Sequence, residues 1–198
     1  MGESNDTKPT VYLFVYDSFS DWEPAYAIAE INKSGKYTVE TFALTKDAVT
    51  SAGGLTILPC TDIDDERIKQ AAMIIIPGGR ALEEKKYGEV MPLVEYAYKN
   101  NIPIAAICGA TTLLADMGML DDIRHTSNAL VYLKQLSSWY KGENYYLDEK
   151  AVTGNNIITA GGVYPIEFAR EIFIKLSLYN NDMIGKWYQL FKNGVWVE

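Results

Sequence analysis

The sequence predicts an α/β domain built on a doubly wound, mostly parallel sheet, and three observations carry that prediction. Apolar runs of strand length alternate with segments of helical spacing along most of the chain. Two of those runs, 72–76 (AMIII) and 102–107 (IPIAAI), are apolar without alternation, as strands become when helices cover both faces of a parallel sheet. Each ends abruptly, at Pro77-Gly78-Gly79 and at Cys108-Gly109, on the carboxyl edge where such sheets bind ligands.

Taken in order, residues 1–9 are polar and read as a disordered start, which leaves 10–198 as one domain. Residues 10–16 (TVYLFVY) form a buried strand, and 21–34 a helix with its stripe at Trp22, Ala25, Tyr26, Ile28 and Ala29, stopped by Gly35. Residues 37–44 alternate at strand period, 49–59 read as a hairpin turned at Gly53-Gly54, and a short helix is expected over 62–70. After the 72–76 strand, helical spacing resumes over 89–100. The 102–107 strand then passes through Cys108-Gly109-Ala110 into a helix ending near Met117-Gly118. A helix over 132–140, a hairpin over 151–160 around Gly154-Asn155, a helix over 165–178 opened by Pro165, and a terminal amphipathic helix over 182–191 complete the chain. Right-handed crossovers follow from this alternation.

Composition removes several functional classes. A net charge of -8 without clustered Lys and Arg excludes a nucleic-acid surface. The apolar stretch 11–16 is too short to span a bilayer or to serve as a signal peptide, and Asp6 stands where myristoylation requires Ser or Thr. Two cysteines without ligand spacing and a single histidine leave no metal site, and no cofactor is expected. Unpaired thiols fit a reducing, cytoplasmic setting.

The candidate chemistry lies at the sheet edge. Cys108 sits between Ala106 and Ala110, small residues that allow the sharp strand-to-helix turn of a nucleophile elbow. A helix N-terminus beneath the sulfur would lower its pKa, whereas a buried structural cysteine is the alternative. Glu23 is either a general acid/base beside Cys108 or, as the last residue of Ser20-x-x-Glu23, one half of a local capping box. Gly78, Gly79 and Gly109 can offer amides to an oxyanion or can simply make turns, and Gly161-Gly162 invites the same two readings. His125, in a polar stretch, reads as a surface imidazole and is the one histidine available as a base. Cys60, after Pro59 at a strand end, reads as an inert bystander thiol.

These motifs, taken together, resemble the ThiJ/PfpI family of the class I glutamine amidotransferase-like superfamily. The resemblance rests on Ile76-Pro77-Gly78-Gly79, on Ala105-Ala106-Ile107-Cys108-Gly109-Ala110 with Leu113-Leu114-Ala115, on Asp21-Trp22-Glu23, and on the segment from Gly161-Gly162-Val163-Tyr164 to Ala169. It implies a flavodoxin-like three-layer sandwich, a homodimer, Cys108 as nucleophile and Glu23 as its carboxyl partner. It further implies a cysteine-dependent hydrolase of protease, amidase, glyoxalase or deglycase type acting on a small molecule or peptide. The alternative it implies is a stress sensor or chaperone whose Cys108 is oxidised to sulfinic acid. The chain departs from the superfamily in two places. Tyr164-Pro165-Ile166-Glu167 stands where glutamine amidotransferases carry a catalytic His-x-Glu, so amidotransfer lacks its base. Thr126-Ser127-Asn128 places Asn128 where members often have a histidine, with His125 three residues earlier. No DNA-binding extension follows, which argues against the regulator branch.

Overall fold

The computed structural model describes residues 8–196. Of the expected disordered start, residues 1–7 lie outside the described residues, while Lys8 and Pro9 carry no regular structure. Strand β1 (Thr10–Phe14) leads through a short loop into helix α1 (Trp22–Ser34), which Gly35 ends in a left-handed conformation. β2 (Thr38–Ala43) follows, then a small antiparallel hairpin of β3 (Val49–Thr50) and β4 (Thr56–Ile57), and the edge strand β5 (Thr61–Asp62). A 3-10 turn (Glu66–Gln70), β6 (Met73–Ile76) and the short helix α2 (Arg80–Glu83) come next. α3 (Met91–Lys99), β7 (Ile104–Ile107) and α4 (Ala110–Asp116) form the unit that carries Cys108. α5 (Leu130–Leu136), β8 (Ala151–Gly154), β9 (Ile157–Ala160), α6 (Pro165–Lys175) and α7 (Asn181–Asn193) complete the chain.

The main sheet has seven strands in the order β5-β2-β1-β6-β7-β9-β8. Every pairing is parallel except β8 with β9, an antiparallel hairpin turned at Gly154-Asn155 with Asn155 at φ 52°. The predicted α/β architecture stands: a flavodoxin-like sheet between helical layers. β1, β6, β7 and β9 are its central strands, and β6, β7 and β9 are buried along their whole lengths, which is why their sequences show no alternation. Their carboxyl ends lie side by side, Ile76 beside Ala106 and Ile107 beside Ala160. Residues 77–79, 108–109 and 161–162 therefore emerge along one edge.

Two expectations change in detail, and one element carried no expectation. The helix expected over 62–70 is only a 3-10 turn beginning at Glu66, because Thr61 and Asp62 pair with Phe42 and Ala43 as an edge strand. The helix expected over 132–140 spans Leu130–Leu136 and stops where Ser137 adopts an extended conformation and its hydroxyl bonds Asp116. The short α2 carries no periodicity signal, since four residues make barely one turn.

Candidate active site

Cys108 is the hinge between β7 and α4. Its backbone sits in the left-handed region at φ 56°, an unusual and strained conformation for a residue with a side chain. The turn is held on both sides: the Cys108 amide donates to Ala160 O at 3.0 Å, and the Thr111 amide and hydroxyl both bond Cys108 O. Small neighbours are a geometric requirement here. A Cβ on Gly78 would lie 2.6 Å from Cys108 Cβ, and one on Gly162 would lie 2.8 Å from Sγ. No side chain fits at either position without displacing the cysteine.

Glu23 enters from the first turn of α1 and is only 1% exposed. Its Oε2 accepts the Gly78 amide at 2.6 Å. The capping-box reading fails, because the Ser20 amide donates to Gly78 O at 2.8 Å and is not free for the Glu23 carboxylate. Glu23 is thus turned away from its own helix and toward the sheet edge. Its Oε1 has no hydrogen-bond partner of regular geometry among the described residues. A Cβ on Gly162 would meet that atom at 3.1 Å and Sγ at 2.8 Å, so oxygen and sulfur border the same space. Neighbouring Asp21 fixes the approach of α1 by accepting the Ser51 hydroxyl at 2.6 Å and the Gly53 amide at 3.2 Å. The β3-β4 hairpin is thereby pinned beside the cleft.

Burial shapes the electrostatics of the pair. Desolvation pushes the Glu23 carboxyl up to about 7, even though the Gly78 amide and the Cys108 thiol favour its charged form. Desolvation, with the Glu23 charge, pushes the Cys108 thiol up to about 12. The lowered thiol expected from the sequence is therefore corrected. A partly enclosed sulfur beside an acid gains more from staying neutral than the donors at Asn128 and Gly109 return. Below about pH 7 carboxyl and thiol are both protonated, and above it the pair keeps a single proton, on the sulfur.

Asn128 stands on the other side of the sulfur. Its Nδ2 donates to Sγ at 3.4 Å, while its Oδ1 accepts the Gly162 amide at 2.8 Å, so one amide side chain ties the β9 loop to the cysteine. His125 is placed elsewhere. The expected surface imidazole is fully buried, with Nδ1 bonded to Ile123 O and Nε2 to the Tyr140 hydroxyl, both at 2.7 Å, and rings of Tyr140 and Tyr146 packed on it. It does not line the cleft that holds Cys108. Cys60 is exposed and free, and its sulfur accepts the Thr41 hydroxyl.

The five candidate glycines divide by what their amides already do. Gly78 N–H serves Glu23, Gly161 N–H serves Lys150 O, and Gly162 N–H serves Asn128. Gly109 N–H points at the sulfur, and Gly79 N lies 3.5 Å from where a Gly109 Cβ would stand, so the two backbone segments meet beside Cys108. The cleft has a volume of about 690 Å³ and is also walled by Trp22, Ala52, Glu83 and Tyr164. Ala52 and Glu83 were not singled out from the sequence: one lies in a hairpin and the other in a four-residue helix, and neither carries a motif. Among the described residues no His, Cys, Asp and Glu cluster could hold a metal ion.

Known proteins share this arrangement of chain. The DJ-1/PfpI family model matches residues 9–175. A Bacillus subtilis (strain 168) protein named "Uncharacterized protease YoaZ" is 40% identical over 190 residues, covering 92% of this chain and 90% of its own. A Caenorhabditis elegans protein named "Glutathione-independent glyoxalase DJR-1.2" is 31% identical over 128 residues, covering 64% of this chain and 66% of its own. The crystal structure of a thiJ/pfpI family protein from Bacillus anthracis superposes with a TM-score of 0.87 at 37% identity, covering 96% of this chain and 92% of that one.

Proposed function

The chain belongs to the DJ-1/PfpI family, and on that premise we propose that it is a cysteine-dependent hydrolase or glyoxalase-type enzyme acting on a carbonyl of a small molecule or peptide. The observation that carries this reading is the buried Glu23 carboxyl, turned off its own helix, with Oε1 and the Cys108 sulfur facing one space. Relatives named as protease and as glyoxalase fit the same class of chemistry.

In this reading the resting thiol is protonated and Glu23, with a pKa near 7, is the base. As sulfur bonds the carbonyl carbon, the S–H proton passes to Glu23, and the C=O π electrons move onto oxygen. The Gly79 and Gly109 amides receive that oxyanion. With an amide or peptide, protonated Glu23 then returns its proton to the departing amine, and water hydrolyses the thioester to the acid and restores the thiol. With an α-oxoaldehyde no group departs; a 1,2 proton shift through an enediol turns the hemithioacetal into a thioester, and the same hydrolysis releases the hydroxy acid. Asn128 keeps the sulfur and the 161–162 loop in register. His125 has no part, because both of its ring nitrogens are engaged away from the cleft. Tyr164 and Pro165 in place of a His-x-Glu base leave glutamine amidotransfer outside the proposal. The reading takes the working form to be a cytoplasmic homodimer that binds neither nucleic acid nor membrane. Among the described residues no helix is long and apolar enough to cross a membrane.

A second reading draws on the same atoms. Two equivalents of peroxide would take Cys108 to sulfinic acid, and Glu23 and Asn128 stand ready to bond the new oxygens, which suits a stress sensor. The experiment is a turnover panel with methylglyoxal, peptide and amide substrates, comparing wild type with Cys108→Ala, alongside intact mass after mild peroxide. Turnover that vanishes in Cys108→Ala is the expected result. A two-oxygen gain at Cys108 with no turnover on any substrate would overturn the enzyme reading in favour of the sensor.

A further inference from the structure

The walls of the Cys108 cleft carry charge that the attack itself does not use. Glu83, the last residue of α2, crosses the start of α4 so closely that its Cγ lies 3.1 Å from the position a Gly109 Cβ would take. The Tyr132 hydroxyl donates to its Oε1 at 2.9 Å and fixes the carboxylate on the cleft wall. Its field reaches the interior, where it acts against ionisation of Glu23. The one cationic side chain on the same wall, Arg80, is engaged by Glu84, with Nε 2.6 Å from Oε1.

The remaining features favour the same kind of ligand. Trp22 is half exposed on the cleft lining, and an aromatic face attracts cations, whereas the Tyr164 ring already has Lys150 over it, with Nζ 6.0 Å from the centroid. Inside, Glu23 Oε1 is buried and without a regular partner among the described residues, so a donor on a bound molecule would satisfy it. An anionic ligand would instead meet Glu83 at the entrance and Glu23 within, and among the described lining residues the one cation, Arg80, lies exposed at the rim and paired with Glu84.

We infer that the Cys108 cleft selects carbonyl substrates bearing an ammonium or guanidinium group over anionic ones, with Glu83 as the specificity-determining residue. This rests on the reading of Cys108 as the nucleophile and adds the charge class of its substrate. Because Glu83 is exposed to solvent, its preference is modest and screened by salt. For so exposed a group the effective dielectric approaches that of water, and a unit charge some 7 Å away changes each rate about threefold in opposite directions, so oppositely charged probes differ on the order of tenfold.

The test uses methanethiosulfonate probes of matched size with a trimethylammonium, a sulfonate or a neutral hydroxyl arm. In each, the cysteine sulfur forms a disulfide with the probe sulfur, methanesulfinate leaves, and the thiol proton is released. Cys60→Ser protein keeps the exposed second thiol out of the reading. Rates are divided by those of a small free thiol, so that intrinsic reagent differences cancel. The expected cation-to-anion ratio at Cys108 is on the order of tenfold at low salt, falling toward one at high salt. Glu83→Gln, which keeps an acceptor for Tyr132, should bring it below about threefold, and Glu83→Lys should invert it. Equal normalised rates for the charged pair, with the neutral probe reacting, would overturn this inference alone. Failure of the neutral probe to label Cys108 at all would overturn the nucleophile reading and this inference with it.

Discussion

Two glutamates sit in the first turns of neighbouring helices, both almost wholly buried, and they behave in opposite ways. Glu23 of α1 is 1% exposed and Glu167 of α6 is 2% exposed. Burial pushes both carboxyls upward. At Glu167, Lys192 at 2.9 Å, its own backbone amide and the Tyr188 hydroxyl at 3.0 Å more than reverse this, leaving the group below its ordinary value, with Lys150 3.5 Å away. At Glu23 no cation among the described residues answers, only the Gly78 amide, the Cys108 thiol and the Ser20 hydroxyl, and the carboxyl stays raised near 7. The difference lies in the partners. A buried acid with cations is a clamp, here tying α7 and the loop before β8 to α6, whereas one without them is a base poised near neutral pH.

Exchanging each acid for its amide should separate the two roles. Glu23→Gln is expected to lower turnover by about 10²–10⁴-fold, the range over which a positioned base contributes, while Glu167→Gln leaves kcat/KM within about threefold. Comparable losses in both variants would erase the contrast.

Stability should move the other way. Glu167→Ala leaves Lys192 and Tyr188 without their acceptor and is expected to cost about 1–3 kcal/mol in urea unfolding, discounted because both lysines reach solvent. The sign of its pH dependence follows from the lowered pKa. The Glu167 contribution is present above the unfolded carboxyl value and is lost as pH falls through the folded one.

Glu23 has the opposite sign. Its folded pKa lies above its unfolded value of 4.5, so its contribution is complete below pH 4.5 and is lost as pH rises through about 7. Glu23→Gln, which keeps an acceptor for the Gly78 amide, should therefore stabilise the protein at pH 8, by about 1–3 kcal/mol, and change little at pH 4.5. A melting temperature that falls equally at both pH values would mean that Glu23 is a structural acid after all.

The smallest effect belongs to Asn128. Asn128→Ala removes one donor to sulfur and the anchor of the Gly162 amide, and should slow the Cys108-dependent reaction by roughly tenfold, the worth of one hydrogen bond to a charged group. Asn128→Asp should slow it more, since a second carboxylate beside the sulfur opposes its ionisation.

The sequence revealed the sheet edge better than what happens on it. Continuous apolar strands ending in glycines are visible as one-dimensional patterns, and they placed Gly78, Gly79, Cys108, Gly109, Gly161 and Gly162 together before any coordinates. Direction of titration is not a one-dimensional property. The Cys108 thiol was expected to fall because a helix begins beneath it, but enclosure and the facing Glu23 raise it, and neither can be counted from spacing. His125 misled for a related reason. Its polar neighbours Asp121, Asp122 and Arg124 suggested a surface position, yet Tyr140 and Tyr146, distant enough in sequence to be overlooked, close over it. Glu83 and Ala52 gave no signal at all, because each reaches the cleft on an element too short to show a period.

The central claim is that Glu23 and Cys108 titrate as one acid-base unit, and the pH profile of Cys108 alkylation by iodoacetamide in Cys60→Ser protein tests it most directly. The account predicts a rate that rises through an inflection near pH 7 in the Glu23 protein, and no inflection below pH 9 once Glu23 is Gln. A rate already at its plateau at pH 5.5, or an inflection that survives Glu23→Gln unchanged, would contradict it.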